Sequence, residues 1–199
     1  MRIIGITGGV ASGKSMVAGL FGRLGAGVID ADQTGHEILR LPKVEEAARR
    51  RWGEAVFGSD GRIDRARLAR IVFAPGPEAE TERKYLEQLT HPEIAQSVLQ
   101  QAEALAASGV EIAVLDAALL LEAGWNRFCE KIVFVEASRE SRLARAKSRG
   151  WSEEDFAARE GVQESLDHKR TRADVIIDNS GSPQRTQAQV ERFWASLVG

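Results

Sequence analysis

Gly8-Gly9-Val10-Ala11-Ser12-Gly13-Lys14-Ser15 matches the spacing G-x-x-x-x-G-K-[ST], with an apolar run before it and a helical pattern after it. Glycines let such a loop curl until successive backbone N–H groups converge on one anion. The helix that follows turns its positive dipole end toward the same point. In that arrangement Lys14 bridges the β- and γ-phosphates of a nucleoside triphosphate, and the Ser15 hydroxyl ligates Mg²⁺. Gly8 to Ser15 is thus the candidate ATP-binding element, a P-loop.

The flanks of the loop set the architecture. Val17, Leu20, Phe21 and Leu24 recur at helical spacing, and Gly25 supplies a C-terminal stop. Five runs rich in Val and Ile read as strands: Arg2 to Thr7, Gly27 to Ala31, Glu111 to Asp116, Lys131 to Glu136 and Asp174 to Asp178. Their apolar character is nearly continuous, which is the mark of strands buried on both faces. Helical segments separate them, so the expected architecture is α/β, a five-stranded parallel sheet between helices.

Two intervals exceed what a single crossover helix requires. Residues 33–110 read as a mainly helical insertion, with breaks at Pro42, around Ser59-Asp60-Gly61 and at Pro75-Gly76-Pro77. Residues 137–173 form a second excursion. There one helix is expected to end near Gly150 and another to begin at Ser152, where Ser152 with Asp155 makes a capping-box-like start and Trp151 with Phe156 has the spacing of a hydrophobic staple. The remaining stretches, 1–32, 111–136 and 174–199, make up the core of a single domain.

Asp30 and Asp32 close the second predicted strand, and residues two apart in a strand face the same way. In parallel sheets ligands bind beyond the carboxyl ends of the strands. Beside a P-loop, Asp32 is the candidate base that takes the proton of an attacking hydroxyl, although an isolated Asp there also suits a helix cap. Asp116 ends the run Ile112-Ala-Val-Leu and supports Mg²⁺ through its water shell, or else is satisfied by backbone hydrogen bonds. Arg142, Arg145 and Arg149 fall within one arc of a helix, where guanidinium groups can close over a transferring phosphoryl group. Asn179 either approaches the nucleotide base or ends the last strand. His91-Pro92 reads as a helix start, and His91 suits positioning on the substrate side better than proton transfer.

The bulk composition excludes several classes. Acidic and basic side chains number 29 and 27, leaving a formal charge of -2 and no positive field for nucleic acid. The longest apolar run, Ile112 to Leu121, carries Asp116 and falls far short of the ~20 residues that span a bilayer. Cys129 is the sole cysteine, which fits a reducing cytoplasm. His36 and His168 have no metal-ligand spacing with it, so a zinc site is not expected. No obligate protein partner is evident. Asp32-Gln-Thr-Gly35 matches the D-x-x-G switch of regulatory GTPases, but no Asn-Lys-x-Asp follows to read guanine. A small-molecule kinase of the nucleoside monophosphate type is a nearer alternative, and a noncatalytic ATP-binding scaffold a more distant one.

Further stretches narrow the choice: Val28-Ile-Asp-Ala-Asp32, Asp60-Gly-Arg-Ile-Asp-Arg65, His91-Pro92, Leu119-Leu-Leu-Glu122 and Ala173-Asp-Val-Ile-Ile-Asp-Asn-Ser-Gly181. With the P-loop, these make the chain resemble the dephospho-CoA kinase family over nearly its whole length. The resemblance implies a P-loop kinase fold with a helical substrate insertion at 33–110 and a small helical lid. It implies ATP as donor and dephospho-CoA as acceptor, with the ribose 3'-hydroxyl phosphorylated. It further implies Asp32 as base, Lys14 and Arg145 as phosphate-stabilising groups, ATP contacts across Ala11 to Met16, and substrate contacts from the loop holding Leu119 and Glu122. Members usually read Asp-x-Pro-Leu-Leu-x-Glu, whereas this chain has Ala118 in place of proline, which frees the loop.

Overall fold

The structure, a computed structural model, describes residues 1–199. Five parallel strands, β1 (Arg2–Gly8), β2 (Gly27–Asp30), β3 (Ile112–Asp116), β4 (Lys131–Glu136) and β5 (Val175–Asp178), form one sheet in the order β2-β3-β1-β4-β5. β1 is central, so the loop that leaves it opens in the middle of the sheet's carboxyl edge. Ile4, Ile6, Val114, Val133 and Val135 are buried on the sheet, as their uninterrupted apolar runs require.

Helix α1 (Lys14–Arg23) packs Val17, Leu20 and Phe21 into that core, where the last helix, α9 (Pro183–Val198), contributes Val190. Phe21 meets Phe193 edge-on, with ring centroids 6.1 Å apart. Leu24 caps α1 and Gly25 follows with φ 106°, the left-handed conformation in which helices commonly stop.

The chain divides into two compact units, Met1–Ala31 with Leu99–Gly199, and Asp32–Val98. The second contains α2 (Ala31–Ile38) from Asp32 onward, α3 (Pro42–Trp52), α4 (Arg65–Val72) and most of α5 (Pro77–Ala107), which then continues into the first unit. Its own core gathers Ala48, Val56, Phe57, Leu68 and Val72. The stretch Asp60-Gly-Arg-Ile-Asp-Arg is built as a turn and a cap. Asp60 accepts from the Arg62 amide, Ile63 bridges Phe57, and Asp64 caps α4 by accepting from the amides of Ala66 and Arg67.

Helices α6 (Arg139–Ser148), α7 (Glu153–Gly161) and α8 (Leu166–Thr171) lie between β4 and β5. Ser152 and Asp155 exchange both hydrogen bonds of the capping box, and Trp151 packs with buried Phe156. Two expectations change. β2 ends at Asp30, and Asp32 lies in the first turn of α2, so the two acids do not share a strand face. His91-Pro92 lies inside the 31-residue α5, not at its start. Flanking turns hold that helix through the missing amide, at the loss of one hydrogen bond.

Candidate functional site

The loop between β1 and α1 is shaped by backbone that only glycine tolerates easily. Gly13 has φ 95°, and a Cβ built there would lie 2.2 Å from Asn179 Nδ2. At Gly8 a Cβ would stand 2.6 Å from both Ser12 Oγ and the Val135 carbonyl oxygen. Ala11, at φ 56°, is the one residue other than glycine with a positive φ, so local strain sits in the middle of the loop. No side chain caps α1, which leaves its first amides for an anion. The hydroxyls of Thr7 and Ser12 are buried with no hydrogen-bond partner, and buried polar atoms of that kind point to an absent ligand or water. Lys14 is buried to 9 % exposure, while Ser15 and Met16 face solvent at the start of the helix.

The loop is held from behind by residues far away in sequence. Arg145 donates through one guanidinium nitrogen to the Ser12 carbonyl at 2.8 Å and through the other to the Asn179 carbonyl at 2.7 Å. Asn179 Nδ2 donates to the same Ser12 carbonyl at 2.7 Å, and its Oδ1 accepts from Thr186 at 3.0 Å. Arg142 is buried beside Gly9, salt-bridged to Glu160 at 2.6 Å. Arg149 caps the end of α6 and is exposed, so the expected arginine arc brings two of its three members to the loop. A cavity of about 160 Å³ opens here, lined by Gly9, Glu136, Arg142, Leu166 and Arg170 among others.

On the other side of β1, Asp116 is paired with Ile6 and with Asp30, so both acids stand at the sheet's carboxyl edge. Asp116 is 1 % exposed. Asp32 follows Asp30 by two residues, a tether of at most ~7 Å. An exposed serine hydroxyl at the helix start and a carboxylate at the adjacent strand end are oxygen donors suited to a hard divalent cation. No group of three or more His, Cys, Asp or Glu side chains is assembled that could hold a metal ion. A cation held by two such donors would draw its other ligands from phosphate and water.

The loop after β3 contains a feature that the sequence did not announce. Glu122 Oε1 lies 2.8 Å from Lys169 Nζ and also accepts the Glu164 amide at 3.0 Å. Lys169, on α8, is wholly buried, and its ammonium donates to the Ala118 carbonyl at 2.9 Å. Burial lowers its pKa; Glu122 opposes that shift and the charge of Lys14 adds to it. Leu119 is half-buried in the same loop. In the sequence Lys169 is one basic residue among Lys169-Arg170-Thr171-Arg172, with nothing nearby that sets it apart. Glu160 and Thr186 were equally silent, because their partners lie on other elements. His91 sits in the middle of α5, half-buried, with its pKa lowered by burial against an opposing Glu87.

Comparison with known proteins shows the family and the fold. The sequence profile of a family described as dephospho-CoA kinase matches residues 2–185. A dephospho-CoA kinase of Symbiobacterium thermophilum is 44% identical over 203 residues, covering 100% of this chain and 82% of that one. The crystal structure of TT1252 from Thermus thermophilus superposes with TM-score 0.82 at 34% identity, covering 100% of this chain and 98% of that one. A dephospho-CoA kinase from Campylobacter jejuni shares the fold, with TM-score 0.70 at 24% identity over 99% of this chain and 98% of that one.

Proposed function

The chain belongs to the dephospho-CoA kinase family, and from that premise we propose that its P-loop presents the γ-phosphate of ATP to the ribose 3'-hydroxyl of dephospho-CoA. The products are coenzyme A and ADP, and the reaction is the last step of coenzyme A biosynthesis. The observation that supports this reading most is the loop itself: an uncapped helix start, strained at Ala11 and pinned through the Ser12 carbonyl. A cradle built in advance stabilises charge without reorganising during the reaction.

In this reading the amides from Gly8 to Met16 hold the phosphates, and Lys14 neutralises charge between the β- and γ-positions. Arg145 commits two donors to backbone carbonyls; a guanidinium has five, and the others serve phosphate oxygens. Arg142 and Arg149 belong to the lid, residues 137–173, and Asn179 keeps the loop in place below the nucleotide. Asp32 accepts the proton of the attacking hydroxyl. Acceptor contacts are assigned to His91 in the helical insertion and, separately, to Leu119 and Glu122 in the loop after β3. A divalent ion, which we take to be Mg²⁺ held by Ser15 directly and Asp116 through water, neutralises phosphate charge when bound. We place the reaction in the cytoplasm, which supplies ATP and keeps the acceptor's thiol reduced. No helix is long and apolar enough to cross a membrane.

Purified protein with ATP and Mg²⁺ is expected to release ADP when dephospho-CoA is added, and not with AMP, uridine or shikimate. Turnover with one of those acceptors and none with dephospho-CoA would overturn the assignment.

A further inference from the structure

Lys169 is the only lysine besides Lys14 that the fold takes out of water, and it is buried more completely, with no exposed surface. Lysine rarely occupies such a place. Replacing a buried ion pair by apolar side chains of similar size is often neutral or stabilising, so the pair is a poor solution if stability alone is at stake. This one is also incompletely satisfied: Glu122 Oε2 is buried with no hydrogen-bond partner. The positive charge of Lys14 makes the site still less favourable for a second ammonium.

The pair joins two segments that meet β1 and the P-loop at different residues. α8 begins at Leu166, against which a Cβ at Gly9 would close to 2.9 Å. The residues after β3 begin at Ala117, whose amide donates to the Ile6 carbonyl, and lead directly out of Asp116. Lys169 reaches from the first to the second, holding the Ala118 carbonyl and the Glu122 carboxylate. The Glu164 amide, on the same carboxylate, closes the connection a second time. With Ala118 the chain has no proline ring to stiffen this stretch, so its conformation depends on contacts of this kind.

Resting on the kinase reading above, we propose that Lys169 is a positioning residue for phosphoryl transfer. It fixes the loop of residues 117–122, and with it the Asp116 end of β3, at a set spacing from Gly9. Glu122 then serves as its counter-ion.

Lys169→Met removes the charge and keeps most of the volume. Hydrogen exchange of the amides in 117–122 is expected to speed up at least tenfold, while those of β1 and α1 keep their rates. At temperatures where the variant stays folded, kcat should fall at least tenfold and the Kd for ATP change less than threefold. That split separates positioning from mere destabilisation, which would lower activity and binding together in step with the fraction unfolded. Unaltered exchange in 117–122, kcat within twofold of the parent, or parallel loss of binding and turnover overturns the proposal. Should Lys169→Met not fold, the double substitution Lys169→Met with Glu122→Met removes both charges. It is expected to fold with the loop still released and kcat still lowered, and full turnover in it overturns the proposal. If the parent protein ignores dephospho-CoA, the kinase reading falls, while hydrogen exchange still decides whether Lys169 holds the loop.

Discussion

A methyl group at Gly13 would collide with Asn179 at 2.2 Å and would also have to tolerate φ 95°. Gly13→Ala is therefore expected to cost about 1–3 kcal/mol in chemical denaturation, and to weaken ATP binding as the loop is pushed off its Ser12 support. Asp32 carries a different kind of consequence. As a base it is worth roughly 10²- to 10⁴-fold in rate. Asp32→Asn should lose turnover on that scale and keep its affinity for ATP in a titration; an unchanged kcat removes Asp32 from the mechanism. Cys129 is chemically quiet by contrast, since burial pushes its thiol up to about 12. It should resist alkylation in the native protein at pH 8 and react only after unfolding.

At the scale of the element, the helices between β4 and β5 start as their sequence dictates. The hydroxyl of Ser152 takes the Asp155 amide at 3.0 Å, and Ser152→Ala should lower stability by about 1 kcal/mol in urea denaturation. Caps, staples and the P-loop were legible because each is complete within a few residues. Two boundaries were not. The alternation that paired Asp30 with Asp32 ended when the chain turned into α2 at Ala31. Pro92 looked like a helix start because proline favours that position, yet neighbouring turns carry α5 through it. Local preference is a weak prior, and tertiary packing outweighs it where a long helix is supported on both sides.

Across the molecule, stability should depend on acid pH. Asp174 is held below its ordinary value first by the Ile132 amide, Asp178 by the Ser180 amide and Asp64 by the Arg67 amide. Because the folded values lie below the unfolded ones, this stabilisation is full above about pH 4. It is lost as pH falls through the folded values. Urea midpoints measured from pH 7 down to pH 2 should drop in that acid range, and Asp174→Asn should make the drop smaller. The amino-acid sequence by itself determined the glycine-shaped loop between β1 and α1, the parallel α/β sheet, the helical character of 33–110 and the family. Those depend on short-range spacing and on apolar runs that must be buried. Only the tertiary structure decided that Arg145 and Asn179 pin the loop through one carbonyl, and that Lys169 ties α8 to the loop after β3. Their partners are backbone oxygens and a single carboxylate far along the chain, and such groups leave no pattern until folding brings them together.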